Sequence, residues 1–263
     1  MEKILKQYGI TPDPMQGQNF MASQKAISKV VSLARLRRNE TVLEIGAGLG
    51  FLTEELAKKA KKVIAVEMDR KLASVLKKEL AEYNNIQPIR GNILKTISGI
   101  RCDVIVSNLP YAISEALLRK LTTYDFKRAV LVVPKGFAYR LVANENEANY
   151  SRLSVFAQSF FNVSIITELS KSDFYPKPDT NSVVIELSKK PENLIQKLFL
   201  WESRKLKNLL LEAIATHERV SKNTARERLK RLNISNKTLD KRAREIDLKG
   251  MKTIINALKA ARK

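Results

Sequence analysis

Between residues 41 and 187 the chain alternates short β-branched and aliphatic runs with amphipathic stretches. Residues 41–46, 62–69, 86–91, 103–108, 128–133, 163–168 and 182–187 read as strands. Helices are expected between them: through Leu52, Leu56 and Ala60; through Leu72, Val75, Leu76 and Leu80; and around 113–122, 136–143 and 151–161. Ahead of the first strand, Ser23 is placed to cap a helix carrying Ile27, Val30, Val31 and Ala34 on one face. Strands linked through helices belong to a mainly parallel sheet covered on both faces, because each parallel connection has to cross back over the sheet. The expected class is therefore α/β.

From Pro191 onward no strand-like run remains. Leu198, Leu206, Leu209, Leu210, Ile214, Leu229, Leu232, Ile254 and Leu258 recur at helical spacing among Lys and Arg. This divides the chain into an α/β domain over residues 1–188 and a small, basic, all-helical domain over 189–263. Trp201 is expected in the core of the small domain, and His217 on or near its surface.

The charge follows the same division. The formal net charge is +21, of which residues 188–263 carry +13 and residues 1–187 only +8. Lys and Arg at this density displace counterions from a polyanion, so nucleic acid is the expected partner. No helix sets Trp and Phe opposite its lysines, and no run reaches the ~20 apolar residues that span a bilayer. The N-terminus lacks the apolar core of a secretory signal. A cytoplasmic protein with no membrane partner is expected. One cysteine, Cys102, and one histidine, His217, exclude an internal disulfide, a cysteine-rich metal site and a two-histidine centre. No metal is expected, and Cys102 is read as packing at a strand start.

Glu44-Ile-Gly-Ala-Gly-Leu-Gly50 falls at a strand-to-helix junction. Glycine there lets a ligand lie against the backbone. Glu67, at the end of the next strand, is placed to accept from a ribose diol. Together they imply an adenosine-containing cofactor at the carboxyl edge of the sheet. The spacing Gly46-x-Gly48-x-Gly50 differs from the dinucleotide G-x-G-x-x-G, and an acidic residue beside the turn suits a cationic amine and sulfonium better than a pyrophosphate. S-adenosylmethionine (SAM) is favoured.

Asn108-Leu109-Pro110-Tyr111 ends the strand at 103–108. The Asn108 side-chain oxygen and the Leu109 carbonyl can each accept a hydrogen from an exocyclic amine, turning its lone pair toward an electrophilic methyl. Pro110 stiffens the direction of that carbonyl. Tyr111 offers a ring on which an extruded base can stack. Such a site needs positioning more than a strong base.

These motifs, in this order, resemble the ribosomal small-subunit RNA adenine N6,N6-dimethyltransferases. Gly17-Gln-Asn-Phe-Met21 is similar to the family's first signature. Glu44-Ile-Gly-Ala-Gly48, Glu67, Gly91-Asn-Ile-Leu94 and Asn108-Leu-Pro-Tyr111 resemble its cofactor and catalytic motifs. Tyr150-Ser-Arg-Leu-Ser-Val155 and Phe174-Tyr-Pro-Lys-Pro178 with Ser182 resemble its later segments. The resemblance covers about residues 12–188 and implies a Rossmann-like SAM-dependent methyltransferase fold. It implies transfer of two methyls to N6 of each of two adjacent adenosines near the 3′ end of small-subunit rRNA, within a pre-ribosomal particle, by a monomer. By the same resemblance Gln18, Asn19, the Met21 backbone and Gly46 contact SAM, Asn92 and Ile93 meet its adenine, and Asn108 serves both cofactor and target. Tyr111 and Phe174 would sandwich the target base; without the resemblance, Phe174 reads as a packing residue. The family usually carries Asp where Asn92 stands and Leu where Met21 stands, and V-Q-K-E where this chain has Val133-Pro-Lys-Gly136. Two alternatives stay open: an adenine-N6 methyltransferase acting on large-subunit rRNA or DNA, and a non-catalytic ribosome-assembly factor on the same fold.

Overall fold

The protein is described by a computed structural model over residues 1–14 and 17–260. The expectation for the His217 side chain, and Met15 and Gln16 of the segment before the first motif, fall outside the described residues. The strands are β1 Phe20–Met21, β2 Thr41–Ile45, β3 Lys62–Glu67, β4 Ile86–Arg90, β5 Val104–Asn108, β6 Arg128–Pro134, β7 Phe161–Leu169, β8 Phe174–Tyr175 and β9 Ser182–Lys189. Seven of them form one sheet in the order β4-β3-β2-β5-β6-β9-β7. The pairs from β4 through β6 are parallel, whereas β9 runs antiparallel to both β6 and β7. Every expected strand is present. Pro88 is accommodated because β4 lies at the sheet's edge, where a missing N–H costs no ladder bond.

The helices follow from the same local chemistry. Ser23 caps Gln24–Leu33 by accepting from the Ala26 amide, and Asp69 caps Arg70–Glu79 by accepting from Leu72. Alternate strand residues Val42, Val63, Ala65, Val104, Val106 and Val130 bury one sheet face against Ile27, Val30 and Leu56. The helix Glu2–Gln7 and the two-residue antiparallel ribbon of β1 with β8 lie outside the sequence expectations. Neither has enough residues to show a period.

Two compact units result. One is Met1–Val142 with Phe161–Lys189; the other is Ala143–Phe160 with Lys190–Lys263. The sequence division after residue 188 assigns residues 143–160 to the α/β domain, but the helix Arg152–Phe160 groups with the C-terminal helices. The reason is packing. Phe156 and Phe160 meet Phe199 edge-on, and the Asn193 and Gln196 amides donate to the Ser159 carbonyl. Around this helix the second unit assembles Leu194–Leu200, Leu206–His217, Lys222–Arg231, Asn236–Leu239 and Leu248–Ala260. Leu198, Leu206, Leu209, Leu210 and Ile254 are buried there. Trp201 is not core: it is half-buried, with Lys197 Nζ and the Arg204 guanidinium over its ring at 5.4 and 5.3 Å. Among the described residues no helix is long and apolar enough to cross a membrane.

Candidate active site

The strand order locates the site before any side chain is considered. From β2 the chain steps outward to β3 and β4, then returns to place β5 on the other side of β2. Loops leaving the carboxyl ends of β2 and β5 therefore diverge and leave a crevice between them. Ser107 Oγ ties the two strand ends by donating to the Ile45 carbonyl at 2.6 Å. The Gly46 and Ala47 amides donate to the Val66 carbonyl at 2.9 and 3.2 Å, holding the glycine turn against β3. A cavity of about 510 Å³ opens here, within the range of small-molecule sites.

The glycines do more than make room for a ligand. Gly46 adopts φ 71°, and a Cβ on it would stand 3.2 Å from Pro110 Cγ and Cδ. A Cβ on Gly17 would stand 3.2 Å from Pro110 Cβ. The Pro110 ring is thus seated between two residues that have no side chain, so the first motif, the glycine turn and the Asn108–Tyr111 loop lock together.

Asn108 has a determined orientation. Its Nδ2 donates to the Asn19 carbonyl at 2.8 Å; a carbonyl can only accept, so Oδ1 is the atom left to accept from another group. Leu109 is buried, and its amide donates to the Val132 carbonyl at 3.1 Å, so the backbone carrying its carbonyl is anchored to β6. Asn19 also lines the cavity, and its Oδ1 is fully buried with no partner. Buried acceptors are rarely left unmatched, and this one matches the protonated amine of a methionine moiety. The residues present fit SAM.

Glu67 closes another wall. Its Oε2 accepts from the Gly48 amide and its Oε1 from the Asp69 amide, both at 2.8 Å, which leaves lone pairs for a diol. Burial pushes its carboxyl up, and backbone amides of Asp69, Gly48 and Met68 oppose that push. Asn92 and Ile93 lie on the same cavity, with Asn92 Oδ1 accepting from the Leu94 amide at 2.9 Å as a helix cap. Gln18 lines it too, steadied by the Asp13 amide donating to its Oε1.

Five expected residues are not among those lining the cavity: Glu44, Met21, Phe174, Tyr111 and the buried Leu109. Glu44 does not line the cavity; it borders a recess of about 30 Å³ behind the glycine turn, together with Met21. Burial pushes its carboxyl up to about 8, the Glu67 charge acts in the same direction, and the Thr53 hydroxyl opposes both. Its placement follows from strand alternation, which turns Glu44 to the same inner face as Val42. The Met21 side chain is core. Phe174 is 3% exposed and packs in the same core. Its sandwich with Tyr111 is absent from this conformation, because β1–β8 register pairs it with Met21 on the buried side of the ribbon. Tyr111 itself is half-buried, and its hydroxyl shares a 2.7 Å hydrogen bond with Ser182 Oγ. Burial raises its phenol, so it stays protonated.

The cavity also takes in residues that motif reading missed. Phe20 belongs to its wall, and Met68, 61% exposed immediately after the buried end of β3, lies on it with Arg70. An apolar residue left in water directly after a buried strand was the available signal for Met68.

Comparison with known proteins bears on this geometry. The family model described as ribosomal RNA adenine dimethylase matches residues 13–250. A probable ribosomal RNA small subunit methyltransferase A of Pyrococcus abyssi is 33% identical over 255 residues, covering 97% of this chain and 86% of its own. The ribosomal RNA small subunit methyltransferase A of Thermotoga maritima is 34% identical, covering 86% of this chain and 84% of its own. A crystal structure of a dimethyladenosine transferase from Plasmodium falciparum superimposes with a TM-score of 0.65 at 27% identity, over 92% of this chain and 98% of that one.

Proposed function

Because the chain belongs to the ribosomal RNA adenine dimethylase family, we propose that it dimethylates N6 of two adjacent adenosines near the 3′ end of small-subunit rRNA, within a precursor particle. The observation that carries this reading is the pinned Asn108 amide: with Nδ2 held by Asn19, Oδ1 is committed to accepting.

SAM supplies an electrophilic methyl on a sulfonium. The remaining work falls to the chain. Asn19, Gln18 and Glu67 hold the cofactor's polar ends, while Asn92, Ile93 and Met68 surround its base. Asn108 Oδ1 and the Leu109 carbonyl each take one hydrogen of the target amine. In the first transfer both hydrogens held in this way turn the nitrogen lone pair out of conjugation and toward the methyl; in the second, one of the two oxygens holds the single hydrogen left on the monomethylated amine. Pro110, wedged between Gly17 and Gly46, keeps that direction constant. Tyr111 supports the extruded base by stacking, a contribution of roughly 1–3 kcal/mol. The surplus proton on the methylated nitrogen leaves to water, so no strong side-chain base is called for. The rate gain comes mainly from alignment.

The test is methyl transfer from labelled SAM to small-subunit particles isolated from cells that lack this modification, followed by mass-spectrometric mapping of the adenosines. Two neighbouring dimethylated adenosines near the 3′ end are expected. Transfer confined to large-subunit RNA, or cofactor binding with no transfer to any RNA, would overturn the reading.

A further inference from the structure

The helical unit contains a cavity of its own. It measures about 470 Å³ and is built wholly from residues between Lys207 and Leu239. Helix Leu206–His217 contributes Lys207 and Leu211, helix Lys222–Arg231 contributes Arg226 and Lys230, and the following turn contributes Asn233 and Ile234. That turn is sharp, with Asn233 at φ 51°. Its chemistry is layered. Leu211 and Ile234 are half-buried and Leu229 and Leu239 buried, which gives an apolar floor. The exposed ends of Lys207, Arg226 and Lys230 share the rim with one carboxylate, Glu227, whose Oε1 lies 3.6 Å from Lys230 Nζ. Exposed Asn233 and Asn236 add amides that donate and accept together.

A purely phosphate-binding patch has no use for an apolar floor, and an apolar ligand has no use for three cations. A nucleoside phosphate uses both. We infer that this cavity receives one unstacked nucleotide of an RNA strand, its base on the Leu211–Ile234 floor beside the asparagine amides and its phosphates at Lys207, Arg226 and Lys230. The inference rests on the RNA reading above and adds a second capture point for the strand, separate from the crevice that holds the target adenine. An amide can pair with the edge of any base, and the floor carries no aromatic ring, so the pocket selects an unstacked nucleotide more than a particular base.

The experiment uses the full chain and an eight-nucleotide RNA strand made entirely of abasic riboses, compared by fluorescence anisotropy with the same strand carrying one central uracil, which has no exocyclic amine for the catalytic crevice to hold. Backbone charge is identical in the two strands, so electrostatic attraction cancels from the comparison. Restoring the base is expected to tighten binding roughly five- to tenfold, near the lower end of the range for one seated base because no aromatic ring stacks on it. Ile234→Ala, which removes part of the apolar floor without altering charge or adding a ring, should erase most of that gain and keep the salt dependence. Circular dichroism checks its fold, and Asn236→Ala, at an exposed position, serves as the second variant with a partial loss. Tyr111→Ala should leave the gain in place. A gain that vanishes in Tyr111→Ala and survives Ile234→Ala assigns the base to the catalytic crevice and overturns the inference. Equal affinity for the two strands overturns it as well, leaving a surface that binds phosphate alone or an acidic peptide. Displacement of the RNA by micromolar AMP or UMP overturns it in favour of a free-nucleotide site. Failure of the unmodified chain to methylate ribosomal particles, with the base-dependent gain intact, removes the functional reading and supports the pocket.

Discussion

The two units of this protein use polar side chains in opposite ways. In the sheet unit, these polar groups near the cavity are buried or half-buried and already engaged: Asn108 with Asn19, Glu67 with two amides, Ser107 with Ile45. In the helical unit, the polar groups around the cavity are exposed, and the ion pair between Glu227 and Lys230 lies in water, where such pairs contribute little. The contrast separates two tasks. Aligning a nitrogen with a carbon requires atoms that do not move when the substrate arrives, and their desolvation is met during folding. Holding a flexible polyanion requires charges that follow it, and exposure leaves them mobile.

The largest expected effect sharpens the sheet side of that comparison. Phe174→Ala should lower unfolding free energy by about 3–5 kcal/mol, read by denaturant titration, because it empties a packed core position. Phe174→Leu should restore most of that stability. If it restores stability and not transfer, the ring takes part in binding the base from another conformation.

Next in size, Asn108→Ala should reduce kcat by roughly 10²–10³-fold, the scale for deleting one prearranged hydrogen-bonding group, while RNA affinity and Tm stay close to the parent. An active Asn108→Ala enzyme would break the proposed alignment, and with it the claim that the sheet unit works through fixed atoms.

Glu44 gives a smaller effect that depends on pH. Its folded carboxyl is raised to about 8 against an ordinary value of 4.5, so between those limits the native state holds a proton that the unfolded chain has released. Stability therefore falls as pH rises through that window, by up to about 1.4 kcal/mol per pH unit. Glu44→Gln should flatten this dependence, measured as Tm from pH 5 to 8. An unchanged profile would mean that the carboxyl stays charged when buried.

The smallest effect per residue belongs to the helical unit. Reversing single charges among residues 219–244 should weaken RNA binding without altering Tm. Each cation taken away from a phosphate should reduce the slope of log affinity against log salt by about 0.7–0.9. An equal response from reversing Lys58, which is paired with Glu54 and Glu55 on the sheet unit, would erase the distinction between the two surfaces.

Much of the sheet unit was legible because its signals are local. The strand runs, Ser23 as a cap and the glycine turn each depend on a few neighbouring residues, and all appear where the pattern placed them. The same locality explains the misreadings. Helix Arg152–Phe160 lies between two strands of the sheet unit in sequence, so nothing nearby reveals that Phe156 and Phe160 pack with Phe199. Trp201 carries a core composition and yet ends beneath two cations. Phe174, by contrast, reads locally as a packing residue and is one, turned inward by pairing with a segment more than 150 residues away.

The primary structure alone was enough for the α/β class, the basic character of the C-terminal end and the motifs that converge on one crevice. Those follow from period, composition and spacing, which are properties of neighbouring residues. Only the folded chain decided which atoms in those motifs are left to be matched: Nδ2 of Asn108 is taken and its Oδ1 is not, Asn19 Oδ1 is buried without a partner, Glu44 and the Phe174 ring are enclosed, and a second cavity forms where three helical segments meet. Availability depends on partners brought together across the chain, and a hydrogen bond or a packed ring exists only once both sides have arrived.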